Sequence, residues 1–88
     1  MATKLEIAAD VRQAITDQIG YTHEQIDDGK DLEADLHCDA LDLVELAMVL
    51  EERLEIAIPE EDVSAAHTVG DWIWLVQGKL AEKGLVSE

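Results

Sequence analysis

Apolar residues recur at helical spacing in several stretches of the chain, separated by segments rich in Asp, Glu and Gly. The first stretch predicts a helix over residues 4–18, opened by a capping box in which Thr3 and Glu6 exchange hydrogen bonds. Gly20 is expected to end this helix. We expect one side of it to face the core, carrying Leu5, Ala8, Val11, Ile15 and Ile19.

Residues 20–38 lack helical periodicity and contain Gly29 among several Asp residues, which predicts a long loop. Ile26, Leu32 and Leu36 recur within it, and we expect them to reach into the core. A connection of this length is longer than most and is typical of a functional loop or a bundle crossover.

A second helix is predicted to begin at Ala40, with Asp39 as its N-cap. At 100° per residue, one side carries a core-facing stripe of Leu43, Leu46, Ala47, Leu50 and Leu54. The opposite side is also apolar, with Ala40, Leu41, Val44 and Met48. The acidic residues bordering this second side are Asp42, Glu45, Glu51 and Glu52. This arrangement predicts a docking surface for partners that present apolar side chains ringed by Lys or Arg.

Two more helices complete the predicted fold. Pro59 suits the first turn of a short helix over residues 60–66, in which Val63 points inward. Thr68 and Asp71 are expected to cap a fourth helix that ends near Gly84. Its expected inward positions are Val69, Trp72, Ile73, Val76 and Leu80, with Trp74 at the exposed rim.

The fold class predicted from these elements is all-α. We expect a small four-helix bundle of three longer helices and one short helix, with a long loop between helices one and two. Residues 1–88 are expected to form a single domain, because a chain of this length builds one small core.

The chain carries a net charge of -15, which narrows the possible partners. Between Asp31 and Asp71 there are thirteen acidic residues and one basic residue, Arg53. Nucleic acid and membranes are therefore excluded as expected partners, and basic protein surfaces are favoured. The lone Cys38 and the lack of a targeting or spanning segment predict a cytoplasmic protein. We also expect it to be a monomer.

Catalytic and metal sites are not expected. Cys38 follows His37, but no oxyanion or metal constellation accompanies the pair, so we interpret Cys38 as a packed loop thiol. His23 and His67 lack the second Cys or the i, i+4 His that would complete a zinc site. The chain is therefore predicted not to be an enzyme.

The triplet Asp39-Ala40-Leu41 resembles the Asp-Ser-Leu motif of the acyl carrier protein family. The similarity continues through Leu41-Asp42, Val44-Glu45-Leu46, Met48, Leu50-Glu51-Glu52 and Ile56-Ala57-Ile58-Pro59. The resemblance implies a carrier that shuttles thioester-linked acyl intermediates in fatty acid or polyketide biosynthesis. It also implies 4'-phosphopantetheine as the cofactor in the serine form, with Asp39, the position of Ala40, and Leu41 at the attachment site.

Partners and an acyl pocket follow from the same resemblance. The implied partners are a phosphopantetheinyl transferase and the synthesis enzymes, which would bind Leu41, Asp42, Val44, Glu45, Met48, Glu51 and Glu52. The interior that would admit an acyl chain is expected to include Leu50, Ile58, Val63, Ile73 and Val76.

The chain departs from the family pattern at two positions. His37 stands where the family usually has Gly, and Ala40 has no oxygen to which phosphopantetheine could attach. Ala40 is either an engineered Ser→Ala substitution, favoured by the otherwise whole docking pattern, or a natural loss of the prosthetic group. Two alternative functions stay open: an arm-free protein-interaction module and an aminoacyl or peptidyl carrier.

Overall fold

The computed structural model describes residues 2–87, and its helices follow the predicted order. They are α1 (Lys4–Ile19), α2 (Ala40–Leu54), α3 (Glu60–Ala65) and α4 (Val69–Glu82). A short 3-10 helix (His23–Gln25), which the sequence pattern did not predict, lies in the loop between α1 and α2. The prediction of an all-α bundle with three longer helices and one short helix is confirmed.

A short strand pair was not expected from the sequence pattern. Strand β1 (Ala2–Thr3) pairs in parallel with β2 (Val86–Ser87), with Ala2 opposite Val86. Two residues are too few to show the alternation by which a strand is recognised. This pairing depends on the two ends of the chain meeting in the folded molecule.

Each of the three longer helices begins with a capping box. The sequence predicts the box at α1 and an N-terminal cap at α2 and α4. At α1, the Glu6 N–H donates to Thr3 Oγ1 at 3.1 Å, and the Thr3 N–H donates to Glu6 Oε1 at 2.8 Å. At α4, the backbone N–H groups of His67 and Thr68 donate to Asp71 and hold the pKa of its carboxyl below the ordinary value. Helix α3 differs slightly, because Pro59 is its N-cap and not part of its first turn.

The core forms where α1 packs against α2 and α4. All five expected inward positions of α4 are buried, and the predicted contrast between buried Trp72 and exposed Trp74 is confirmed. The expectation for Leu5 was wrong, because its side chain is 79% exposed. Ile7 and Ala14, which the predicted α1 stripe omitted, are buried instead. The inward face of α1 is therefore rotated away from Leu5 in its first turn.

The long loop is fixed to the start of α4 by backbone hydrogen bonds. The Leu32 N–H donates to the His67 carbonyl at 2.9 Å, and the Val69 N–H donates to the Lys30 carbonyl at 3.0 Å. The predicted loop anchors are confirmed as buried residues: Ile26, Leu32 and Leu36. This fixed loop holds the segment that leads into α2.

Within residues 2–87, none of the helices combines the length and the apolar character required to cross a bilayer.

Candidate docking and attachment site

The amino end of α2 is held by reciprocal hydrogen bonds between two aspartates. The Asp42 N–H donates to Asp39 Oδ1 at 2.9 Å, and the Asp39 N–H donates to Asp42 Oδ2 at 3.1 Å. The prediction that Asp39 caps this helix is confirmed. Ala40 is therefore the first helical residue, and its side chain is exposed.

His37 adopts the left-handed backbone conformation that favours glycine, with φ of 60°. The residue that follows it is tied back to the loop, since the Cys38 N–H donates to the Leu32 carbonyl at 2.8 Å. The chain thus turns sharply at His37 and enters α2 in a fixed direction. The backbone therefore makes a turn that favours Gly, although this chain has His37 at that position.

The Cys38 thiol is buried beside this turn, as expected for a packed loop thiol. Burial raises the pKa of the thiol from its ordinary 9.0 to about 11, and the negative charges of Asp42, Asp39 and Glu33 add to the effect. Such a thiol stays protonated at neutral pH, which makes it a poor nucleophile.

Helix α2 presents an exposed apolar surface, here called the α2 patch, made of Leu41, Val44 and Met48. Their side chains are 64%, 44% and 56% exposed, respectively. The opposite side of the helix is buried in the core at Leu43, Leu46, Ala47 and Leu50. The predicted division of α2 into two apolar sides is therefore present in the fold.

Acidic residues border the α2 patch, although they differ in their surroundings. Glu45 and Glu52 are exposed, and they line a shallow groove of about 290 Å³ next to Met48. Asp42 is half-buried and used in the helix cap. The basic residue of α2, Arg53, points its guanidinium at Asp17 of α1, with an N–O distance of 3.3 Å. The border of the patch therefore keeps its negative charge.

Glu51 has an internal contact that the sequence did not reveal. Its Oε2 accepts a hydrogen bond from the Ile58 N–H at 2.8 Å, and the side chain is half-buried. The carboxylate thus faces the connection between α2 and α3. Its assignment to the partner-binding set stays a prediction.

A cleft of about 420 Å³ opens between α2 and α3 beside Ala40. Ala40 and Val44 form its α2 edge, so the cleft adjoins the α2 patch directly. Its remaining walls mix apolar and polar side chains: Glu33, Leu43, Glu60, Val63, Ser64, Ala66 and His67. An apolar group attached at the start of α2 could therefore be partly shielded from water in this cleft.

Most of the residues expected to form an acyl pocket do not line this cleft. Val63 lines it and is half-buried against the core. The other four lie buried within the core: Leu50, Ile58, Ile73 and Val76. Sequence reasoning missed most of the cleft because only the position of α3 brings its walls together. The signals available were Leu43 and Val44, which follow Ala40 by three and four residues on the same helix.

The attachment position does not fit phosphopantetheine as a covalent group. Ala40 ends in a methyl group, and a phosphodiester needs an oxygen at that atom. The hydroxyl of Ser64 lies in the same cleft, but it belongs to α3 and not to the start of α2. Among the described residues, no group of three or more His, Cys, Asp or Glu could hold a metal; the side chain of His23 lies outside them.

Comparison with known proteins agrees with this geometry. Residues 9–75 match the family described as phosphopantetheine attachment site. The acyl carrier protein of Chlamydia felis is 35% identical over 78 residues, covering 89% of this chain and all of that protein. That of Chlamydia muridarum is 38% identical over 73 residues, covering 83% of this chain and 95% of the relative.

A solved structure shows the same likeness in three dimensions. The crystal structure of the acyl carrier protein from Thermotoga maritima aligns with a TM-score of 0.77 at 25% identity. The alignment covers 91% of this chain and 93% of that one. From the helical fold, the matched attachment region and these relatives, the chain belongs to the acyl carrier protein family, whose members are carriers and not enzymes.

Proposed function

We propose that this chain is an acyl carrier of fatty acid or polyketide assembly in a form that has Ala40 in place of the attachment serine, and that its α2 patch is bound by a succession of basic enzymes. The observation that carries the proposal is the exposed apolar trio of α2 beside acidic side chains, on the helix that begins at the attachment position. An exposed apolar patch with a polar border is typical of an interaction site on a small protein.

The patch and its border would have separate roles in docking. Leu41, Val44 and Met48 supply the area that loses water on contact, while Asp42, Glu45, Glu51 and Glu52 are the assigned acidic partners of Lys and Arg. Charges at the rim act mainly on the association rate and on the choice of partner. A small patch with an electrostatic border suits brief contacts with several enzymes.

The charge of the chain also bears on its oligomeric state, and the proposal includes its location in the cell. The net charge of -15 makes copies of the chain repel one another, which supports a monomer. We place this single-domain monomer in the cytoplasm, with a phosphopantetheinyl transferase and synthesis enzymes as its partners. Neither nucleic acid nor a membrane is included among them.

The decisive experiment restores the missing oxygen. The Ala40→Ser variant is incubated with a phosphopantetheinyl transferase and coenzyme A, and its intact mass is measured. We expect a gain equal to one phosphopantetheinyl group, because the exposed first residue of α2 would then carry a hydroxyl at the amino end of a helix, where the helix dipole favours a phosphate.

The unsubstituted chain is the matched control and is expected to gain no mass. It retains Ser64 in the cleft, so its result tests whether attachment requires the start of α2. If the Ala40→Ser variant stays unmodified by transferases of fatty acid, polyketide and peptide pathways, the proposed carrier function is wrong. Subsequent loading with acyl or aminoacyl groups separates a fatty or polyketide carrier from a peptidyl carrier.

A second candidate function is favoured by Ala40 itself. A chain that cannot be loaded at this position can still bind proteins through the α2 patch, as an arm-free interaction module. Binding of the unsubstituted chain to carrier-dependent enzymes supports this candidate whether or not the serine variant is modified.

A further inference from the structure

Apart from His37 in the preceding turn, the departure from a working attachment site is confined to the side chain of Ala40. The N-cap bonds between Asp39 and Asp42 are in place, and the first turn of α2 is regular. The α2 patch remains exposed, and the cleft beside Ala40 is open. The molecule has therefore kept the surface that a partner would contact while lacking the atom that the partner would modify.

We propose that this chain is an arm-free competitor, which occupies the docking site of phosphopantetheinyl transferases and keeps serine-bearing carriers from it. The proposal rests on the proposed function, because it assigns the α2 patch to docking. It adds a regulatory role that the missing hydroxyl makes possible.

Docking should survive the absence of the hydroxyl for a steric reason. The alanine methyl is smaller than a serine side chain, so it introduces no atom that could clash with an enzyme shaped for serine. The contacts expected to supply affinity lie elsewhere, at Val44, Met48 and Glu45, which are all exposed. The unsubstituted chain and its Ala40→Ser variant should therefore bind with nearly equal affinity.

The docked complex would nevertheless be unproductive. A transferase forms a phosphodiester only when a hydroxyl oxygen attacks the phosphate, and Ala40 offers none. The chain would dissociate unchanged and bind again. At a free concentration equal to its dissociation constant, it would occupy half of the enzyme in the absence of a rival carrier.

The experiment uses the Ala40→Ser variant as substrate and the unsubstituted chain as inhibitor of a phosphopantetheinyl transferase supplied with coenzyme A. We expect the apparent KM for the variant to rise linearly with the inhibitor concentration, with kcat unchanged. Dissociation constants measured by calorimetry for the two proteins should agree within about threefold, because they share every docking residue.

Two altered inhibitors test whether the α2 patch is the surface involved. Val44→Asp places a charge in the exposed trio and should weaken inhibition at least about tenfold. Glu45→Lys reverses a border charge and should weaken it about three- to fivefold, mainly through slower association. Glu82→Lys is the charge-matched control, since it makes the same change at an exposed position on α4. It should inhibit as well as the unsubstituted chain, and circular dichroism should show all three folded.

Failure of the inference is distinguishable from failure of the proposed function. If the Ala40→Ser variant is modified but the unsubstituted chain does not raise KM at concentrations well above that KM, the competitor role is overturned. Inhibition that is equal for the Val44→Asp, Glu45→Lys and unsubstituted chains also overturns it. If the serine variant is not a substrate for any transferase, the proposed function itself is lost.

Discussion

The Glu51 carboxylate accepts a hydrogen bond from the Ile58 backbone N–H at 2.8 Å and so ties α2 to the segment preceding α3. Glu52, the next residue, is exposed and borders the α2 patch. Glu51 and Glu52, although adjacent on α2, therefore have different surroundings and different roles. One carboxylate fixes the connection behind the docking surface, and the other belongs to its rim.

This difference predicts unequal effects of removing the two side chains. Glu51→Ala should lower the free energy of unfolding by about 1–2 kcal/mol, because a half-buried N–H loses a charged acceptor. Glu52→Ala, the matched control, should change it by less than about 0.5 kcal/mol. Urea denaturation of both variants measures the contrast, and equal effects would argue against the Glu51–Ile58 bond.

Charge reversal at the rim should slow partner association. Glu45→Lys and Glu52→Lys are each expected to reduce the association rate constant of a basic enzyme roughly threefold at low salt, with a smaller change in dissociation. The effect should shrink as salt rises, because screening weakens long-range attraction. Stopped-flow mixing measures both rates. A reduction of the same size in Glu82→Lys would show that only total charge matters.

The left-handed backbone at His37 predicts a stabilising substitution. His37→Gly should raise the free energy of unfolding by about 0.5 kcal/mol, because relief of strain at φ of 60° exceeds the entropy that glycine adds to the unfolded chain. Ala34→Gly, in the same loop but outside the positive-φ positions, should lower it by about 0.5–1 kcal/mol. Thermal unfolding of the two variants should therefore move in opposite directions.

The buried thiol predicts a loss of stability at alkaline pH. Burial raises the pKa of Cys38 from 9.0 to about 11, so between these values the folded chain holds a proton that the unfolded chain has released. Stability should fall as pH rises from about 9 towards 11, and less so in Cys38→Ala. At pH 8, iodoacetamide should label the folded protein more slowly than the unfolded one. Equal labelling rates would contradict the burial of this thiol.

The imbalance of charge predicts stabilisation by salt. Six basic residues cannot neutralise twenty-one acids, so many carboxylates in the folded chain repel one another. Raising NaCl from about 20 to about 200 mM should increase Tm by about 3–6 °C, and millimolar Mg²⁺ should act in the same direction. An unchanged Tm in both would mean that the acids do not crowd one another in the fold.

Much of the fold was predictable because its determinants are local. Thr3 with Glu6 and Thr68 with Asp71 lie three residues apart, the spacing at which a side chain and a backbone N–H meet in a first helical turn. The burial of Leu46 opposite the exposure of Val44 follows from the same helical period. The exposure of Leu5 could not be predicted from the helical period. Near the end of a helix, burial depends on which other segment covers the side chain, and the period does not contain that information.

The sequence by itself determined where the helices start, that α2 has two apolar sides, and that Ala40 cannot carry a prosthetic group. These depend on residue chemistry and on spacings within a few turns. Only the tertiary structure decided that α3 and His67 form a cleft beside Ala40, and that Glu51 bonds Ile58. Such contacts join residues from separate segments, and their geometry exists only once those segments pack together.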